Sequence, residues 1–209
     1  MNKSEKFWDR QANSFDSPNE EPDPATLKTV ERLKKYLNNN DSILDYACGT
    51  GPMALALADD VQEVYAIDIS EKMLAVAKRK ASERDIENIQ FAQTTLFDER
   101  FSPESFDMVV AFNILHLLEN PGDAILRISQ FLKPGGVFVS SSACMGENKK
   151  IISLFLRAIS KTGLVPKINA FSTSELENLI SEGGFQIIES EISVQQVPEY
   201  FIIAKKDSS

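Results

Sequence analysis

Apolar residues along this chain fall into two patterns. In one they form short unbroken runs: about 42–47 around Ile43 and Leu44, 63–67 around Val64 to Ile67, Ile89–Ala92, Phe106–Ala111 and Val137–Ser142. Such runs predict strands covered on both faces. In the other they recur at helical spacing. Met73, Leu74 and Ala77 follow Ser70, a good N-cap, and predict a helix to about Glu83. A short helix is expected over 53–59, and Ala124, Ile125, Ile128 and Leu132 mark another. Upstream, Phe7, Trp8 and Phe15 share one face of a helix over 5–16, and Leu27, Val30, Leu33 and Leu37 carry the apolar face of the next. Helices over 150–162 and Ser172–Glu182 and strands over 185–192 and 199–205 complete the series. Strand–helix alternation up to residue 142 implies parallel pairing with helices on both faces of a sheet, and no change of character midway argues for one domain.

The first strand runs into an acidic residue and a small-residue turn, Asp45-Tyr46-Ala47-Cys48-Gly49-Thr50-Gly51. Glycine lets backbone approach a ligand closely, and a helix beginning there points free N–H groups into the same space. One strand and one helix later, the second run ends in Asp68, whose carboxylate is placed to accept hydrogen bonds from ribose hydroxyls. Together these describe a nucleoside-bearing cofactor site in the first βαβ unit of a Rossmann-like sheet. Gly49-Thr50-Gly51-Pro52-Met53-Ala54 satisfies the dinucleotide pattern G-x-G-x-x-G/A, so an NAD-dependent oxidoreductase is one reading. Two residues weigh against it. Pro52 removes an N–H that a pyrophosphate would use, and the charge of Asp45 disfavours a pyrophosphate while favouring an ammonium group. A cofactor with an adenosine and a cationic amino-acid end suits the site better.

Leu44 to Gly51, LDYACGTG, closely resembles the first motif of class I S-adenosylmethionine-dependent methyltransferases, commonly LDLGCGTG. Asp68, Ser105-Phe106-Asp107-Met108-Val109, Leu132-Lys133-Pro134-Gly135-Gly136 and Gly183-Gly184-Phe185 resemble that family's later landmarks, in the same order, over roughly residues 40–205. The resemblance implies a doubly wound sheet of about seven strands, mostly parallel, closed by a C-terminal antiparallel hairpin. It also implies a segmentation of one domain, 1–209. Residues 1–40 would be a helical lid region, 41–142 the cofactor-binding core, 143–172 a substrate-side insertion, and 173–205 the last helix and hairpin.

By the same resemblance, Asp45 and the turn residues Ala47, Cys48, Gly49 and Gly51 bind the methionine end. Asp68, with Ile69 beside it, binds the ribose. Ala47 stands where the family usually has glycine. Thr95, with Leu96 after it, stands where the family usually has an acidic residue that holds the adenine amino group; Asp98 is three residues on. Asn113 falls beside the methionine moiety. His116, the only histidine, is either a base for a hydroxyl or amine acceptor or a packing residue at the loop-to-helix junction. Trp8 and Phe15 read either as part of a lid over the site or as anchors of a docked helix. Phe155, in an all-round apolar helix, reads either as acceptor-pocket lining or as a residue packed between core and lid.

Composition narrows the acceptor. A net charge of −9 argues against non-specific binding to nucleic acid or to an anionic membrane. No apolar stretch approaches the ~20 residues of a membrane span, and the N-terminus lacks an apolar signal core. The two cysteines, Cys48 and Cys144, lack metal-ligand spacing and read as reduced thiols of a cytoplasmic protein. The expectation is an S-adenosylmethionine-dependent enzyme acting on a small apolar or aromatic acceptor. The alternatives are the NAD oxidoreductase and a non-catalytic binder of S-adenosylmethionine. The oligomeric state is left open by the sequence.

Overall fold

Each unbroken apolar run becomes a strand in the computed structural model, which describes residues 3–15, 24–144, 169–193 and 198–207. The strands are β1 Ser42–Tyr46, β2 Glu63–Asp68, β3 Ile89–Gln93, β4 Phe106–Phe112, β5 Leu132–Ala143, β6 Phe185–Ser193 and β7 Glu199–Lys206. The helices are α1 Lys3–Phe15, α2 Pro24–Leu33, α3 Pro52–Leu57, α4 Glu71–Glu83, α5 Pro121–Phe131 and α6 Thr173–Glu182. The sheet order is β3-β2-β1-β4-β5-β7-β6, the doubly wound Rossmann-like order with an antiparallel C-terminal end. Residues 145–168 lie outside the described residues. They hold the helix expected over 150–162, Phe155 and most of the 143–172 insertion.

Contacts divide the chain into two units, Met1–Asp98 with Phe106–Met108, and Glu99–Ser105 with Val109–Ser209. In the first, β1, β2 and β3 pair in parallel, with Leu44 opposite Tyr65 and Ile67 opposite Ala92. Ile43, Leu44, Val64 and Ile67 are fully buried, as strands covered on both faces require. Ser70 caps α4 by accepting the Met73 N–H at 3.2 Å, and α4 buries Met73, Leu74 and Ala77. Leu27 departs from the expected face of α2. It lies in the first turn, ahead of the buried pair Val30 and Leu33, and stays half exposed.

In the second unit β7 runs antiparallel to both β5 and β6, with a bulge in β6 between Ile187 and Glu189. Leu132 belongs to β5 rather than to the preceding helix, which ends at Phe131. The Pro-Gly-Gly stretch after Leu132 reads locally as a turn. Pairing with β7 begins at Val137, past the left-handed Gly135 at φ +74°, and the Lys206 ammonium donates to the Leu132 carbonyl at 2.7 Å. A capping box starts α6, in which Ser172 and Glu175 each satisfy the other's backbone N–H.

Candidate cofactor site and its relatives

The turn after β1 alternates left-handed residues: Ala47 at φ +59°, Gly49 at +55° and Gly51 at +81°. The Cys48 N–H donates to the Ile67 carbonyl of β2 at 3.0 Å, and the Gly51 N–H donates to the Cys48 carbonyl at 2.9 Å. A Cβ at Gly49 would meet nothing within 4 Å, so backbone there faces open space. A Cβ at Gly51 would lie 3.0 Å from the Ala77 Cβ of α4. Ala47 is the strained member, since a left-handed alanine costs about 1–2 kcal/mol. Ala47→Gly is therefore expected to raise stability by roughly 0.5–1 kcal/mol, net of glycine's added backbone entropy. Denaturant unfolding checks this, and a lower midpoint would refute it.

Two buried carboxylates frame the turn. Asp68 accepts the Gly49 N–H on Oδ2 at 2.9 Å and the Ser70 N–H on Oδ1 at 2.8 Å. It thereby ties the turn to the end of β2. An ionised carboxylate has about four acceptor positions, so it retains capacity for ligand hydroxyls. Burial raises its pKa, the Ser70, Gly49 and Ile69 N–H groups lower it, and the charge of Asp9 raises it. The Asp45 Oδ2 accepts the Ala54 N–H at 3.1 Å, taking one of the unpaired donors at the start of α3. Burial pushes the Asp45 pKa up to about 7, the Ala54 N–H opposes that, and the charge of Asp68 adds to it. Burial, then Asp45 and Asp68, also hold the Cys48 thiol protonated. That makes it an inert wall, not a nucleophile.

The loop after β3 is tied to β2 by the Thr94 N–H, which donates to the Asp68 carbonyl at 3.0 Å. The Thr95 hydroxyl accepts the Phe97 N–H at 3.3 Å, and the Thr94 hydroxyl donates to Asp98 at 2.6 Å. Thr95 and Asp98 thus each have a local partner within this loop. Leu96 is fully buried, while Ile69 is half-buried and its carbonyl accepts from the Gln93 side chain at 3.0 Å. On α1, Trp8 packs edge-on against Phe7 and Phe15 with centroids 5.0 and 6.2 Å apart, and Phe15 is 55% exposed.

In the second unit Asn113 follows β4 at φ +54°, a conformation that asparagine tolerates better than most residues. Its N–H donates to the Ser141 carbonyl at 2.8 Å, and its side chain is exposed. His116 sits in the single 3₁₀ turn Leu115–Leu117 and is buried. Burial lowers its pKa to about 4, so the ring is neutral at pH 7. Its Nδ1 has no hydrogen-bond partner among the described residues, and its carbonyl accepts the Asn169 N–H at 2.7 Å.

Residues 37–198 match the model of a family described as "Methyltransferase domain". The chain belongs to that family. S-adenosylmethionine is the cofactor that goes with the membership, and it displaces the dinucleotide reading. Among curated relatives, the malonyl-[acyl-carrier protein] O-methyltransferase of Paenibacillus sp. is 25% identical over 166 residues, 76% of this chain and 60% of that protein. The ubiquinone biosynthesis O-methyltransferase of Pasteurella multocida is 29% identical over 148 residues, 66% of this chain and 60% of that one. The chain thus spans about three fifths of the length of both relatives. Among solved structures, YcgJ from Bacillus subtilis superposes with a TM-score of 0.73 at 18% identity, covering 88% of this chain and 99% of its own. The [4+2]-cyclase SpnF superposes with a TM-score of 0.79 at 16% identity, covering 98% and 95%. At those identities the likeness shows the fold alone.

The residues of the methyltransferase domain fit its cofactor on their own evidence. The open side of Gly49 leaves room for close backbone approach, Asp68 keeps lone pairs for hydroxyls, and the acidic lining suits a cationic ligand. The first unit brings together Asp45, Ala47, Cys48, Gly49, Gly51 and Asp68. One residue that the sequence does not announce lies ahead of the matched stretch, Asp9. Its partner, Ser70, lies 61 positions away, and no local pattern separates Asp9 from the chain's other acidic residues.

Proposed function

We propose that this chain, acting as one domain, transfers a methyl group from S-adenosylmethionine to an acidic hydroxyl or thiol of a small apolar or aromatic molecule. The observation that carries the reading is the turn framed by Asp45 and Asp68, with Gly49 open to a ligand. The two relatives named as O-methyltransferases support an oxygen acceptor, and the net charge of −9 supports a small molecule over nucleic acid. Bound S-adenosylmethionine supplies an already activated methyl group on its sulfonium. The chain's own part is mainly to orient the partners and exclude water. Asp45 with the turn would hold the amino-acid end, and Asp68 the ribose hydroxyls. Ile69, Thr95 and Leu96 would complete the cofactor contacts of the first unit, and Asn113 is assigned to the cofactor by the resemblance of the sequence alone. Trp8 and Phe15 are the aromatic residues assigned to the acceptor. Burial makes His116 a weak base, so an acceptor acidic enough to need little base catalysis, a phenol-like hydroxyl or a thiol, is favoured over a less acidic group that would depend on His116.

Cytoplasmic residence belongs to the same proposal and is supported by the two buried cysteines, neither of which is in a disulfide among the described residues. No helix among the described residues is long and apolar enough to cross a membrane.

Calorimetric titration with S-adenosylhomocysteine, with NAD as the matched control, tests the cofactor assignment. Binding of the former alone is expected, and binding of NAD alone would overturn the proposal. Turnover of labelled S-adenosylmethionine against phenols and thiols separates an enzyme from a non-catalytic binder. The titration also reads Asp45. Folded and free of ligand, Asp45 keeps its proton up to about pH 7, against 3.8 for an ordinary carboxyl. Stability from this group therefore falls as pH rises through that window. A ligand ammonium beside it favours the charged form. Binding should then release nearly one proton at about pH 6 and almost none above about pH 8. Heats independent of buffer ionisation enthalpy at both pH values would refute the placement of Asp45.

A further inference from the structure

Helix α1 is fastened to the segment that carries Asp68 by two separate side-chain ties. The Ser70 hydroxyl donates to Asp9 Oδ1 at 2.6 Å, and the Lys72 N–H lies 3.4 Å from the same oxygen. Gln93 donates to the Ile69 carbonyl at 3.0 Å and to Glu5 at 3.5 Å. Both ties therefore end on the two residues that follow Asp68. From Ser70 the path continues without a gap: its N–H donates to Asp68 Oδ1, and Asp68 Oδ2 accepts from Gly49.

Ser70 is placed unusually for a helix cap. Its oxygen accepts the Met73 N–H, its hydroxyl proton goes to α1, and its own N–H orients the candidate ribose carboxylate. Accepting from Met73 and donating to Asp9 fix the hydroxyl rotamer, and Ser70 is fully buried. Asp9 is not needed for helix capping as such, because the serine oxygen performs that alone.

We infer that Asp9 is a positioning residue for cofactor binding, acting from α1 through Ser70 on the orientation of Asp68 toward the ribose hydroxyls. The inference rests on the S-adenosylmethionine reading of the site. It assigns α1 a second role besides displaying Trp8 and Phe15: the helix sets the geometry of the cofactor's carboxylate. Outer-shell partners that orient a ligating group commonly matter by about tenfold or more in affinity.

The test compares two ligands, S-adenosylhomocysteine and its 2′,3′-dideoxyribose analogue, on wild type, Asp9→Ala and Asp9→Asn. Asp9→Ala is expected to weaken S-adenosylhomocysteine by about tenfold and the dideoxy analogue by less than about twofold, because only the former engages Asp68 through its hydroxyls. Asp9→Asn keeps a carbonyl oxygen for the Ser70 hydroxyl and should stay within about threefold of wild type for both ligands. A merely structural α1 would weaken both ligands alike, and that result overturns the proposal. So does unchanged affinity in a folded Asp9→Ala. Wild type that fails to bind S-adenosylhomocysteine at all would instead overturn the cofactor reading on which this rests. If Asp9→Ala does not fold, Ser70→Ala cuts the same link from its other end and carries the same expectation and the same refutation.

Discussion

Asp68→Ala should weaken S-adenosylhomocysteine by more than about a hundredfold while the chain stays folded. Two losses combine. The ligand loses a charged partner for its ribose hydroxyls, worth roughly 1.5–3 kcal/mol. The Gly49 and Ser70 N–H groups lose the acceptors that hold them at 2.9 and 2.8 Å, and each donor left unpaired costs about 1–3 kcal/mol more. Part of that second loss lowers stability, and part releases the turn from the shape a ligand needs. An opposing effect is present, because removing Asp68 also removes a charge that raises the pKa of Asp45. It should ease the ionisation of Asp45 without restoring any contact to the ribose. Calorimetry on a variant with native circular dichroism reads the outcome. Affinity within threefold of wild type would remove Asp68 from the site.

Gly51→Ala should destabilise the chain by about 2–4 kcal/mol, and Gly49→Ala should do so by only about 1–2 kcal/mol. Both positions are left-handed, so both variants carry the backbone penalty. They differ in what the new methyl group meets. At Gly51 it lies 3.0 Å from Ala77, itself fully buried in α4, and neither helix can give way without opening the core. At Gly49 nothing lies within 4 Å. Gly49→Ala should instead show its effect on cofactor affinity, since the methyl group occupies the open side of the turn. In a molecule of this size the Gly51 effect corresponds to a fall in Tm of roughly 5–15 °C. Equal Tm values for the two variants would contradict the packing around Ala77.

Most of the fold is legible because its signals are local. The edges of β1, β2 and β3 fall within a residue of the ends of their apolar runs, and Ser70 caps α4 where the sequence puts it. The acid-framed turn is legible for the same reason, being one continuous segment plus one strand end. What escapes is set by distant neighbours. β5 extends back to Leu132 through Pro134 and two glycines, although its pairing with β7 begins only at Val137, where the apolar run puts the strand. Leu27 has the right spacing but sits beyond the packed part of its helix. The weak basicity of His116 follows from burial, and spacing carries no record of burial. The Thr95 hydroxyl accepts from the backbone of Phe97 and keeps its own proton to donate, a local geometry that spacing does not record. Asp9 meets Ser70 only through the docking of α1 on α4.

The occupancy of Asp68 has a kinetic meaning. Gly49 and Ser70 engage its two oxygens before any ligand arrives, so the arrangement is paid for during folding and not at the encounter. Association should then run at nearly the same rate for every ligand that carries an intact ribose. Differences among such ligands, and among variants that leave the turn intact, should appear as differences in residence time.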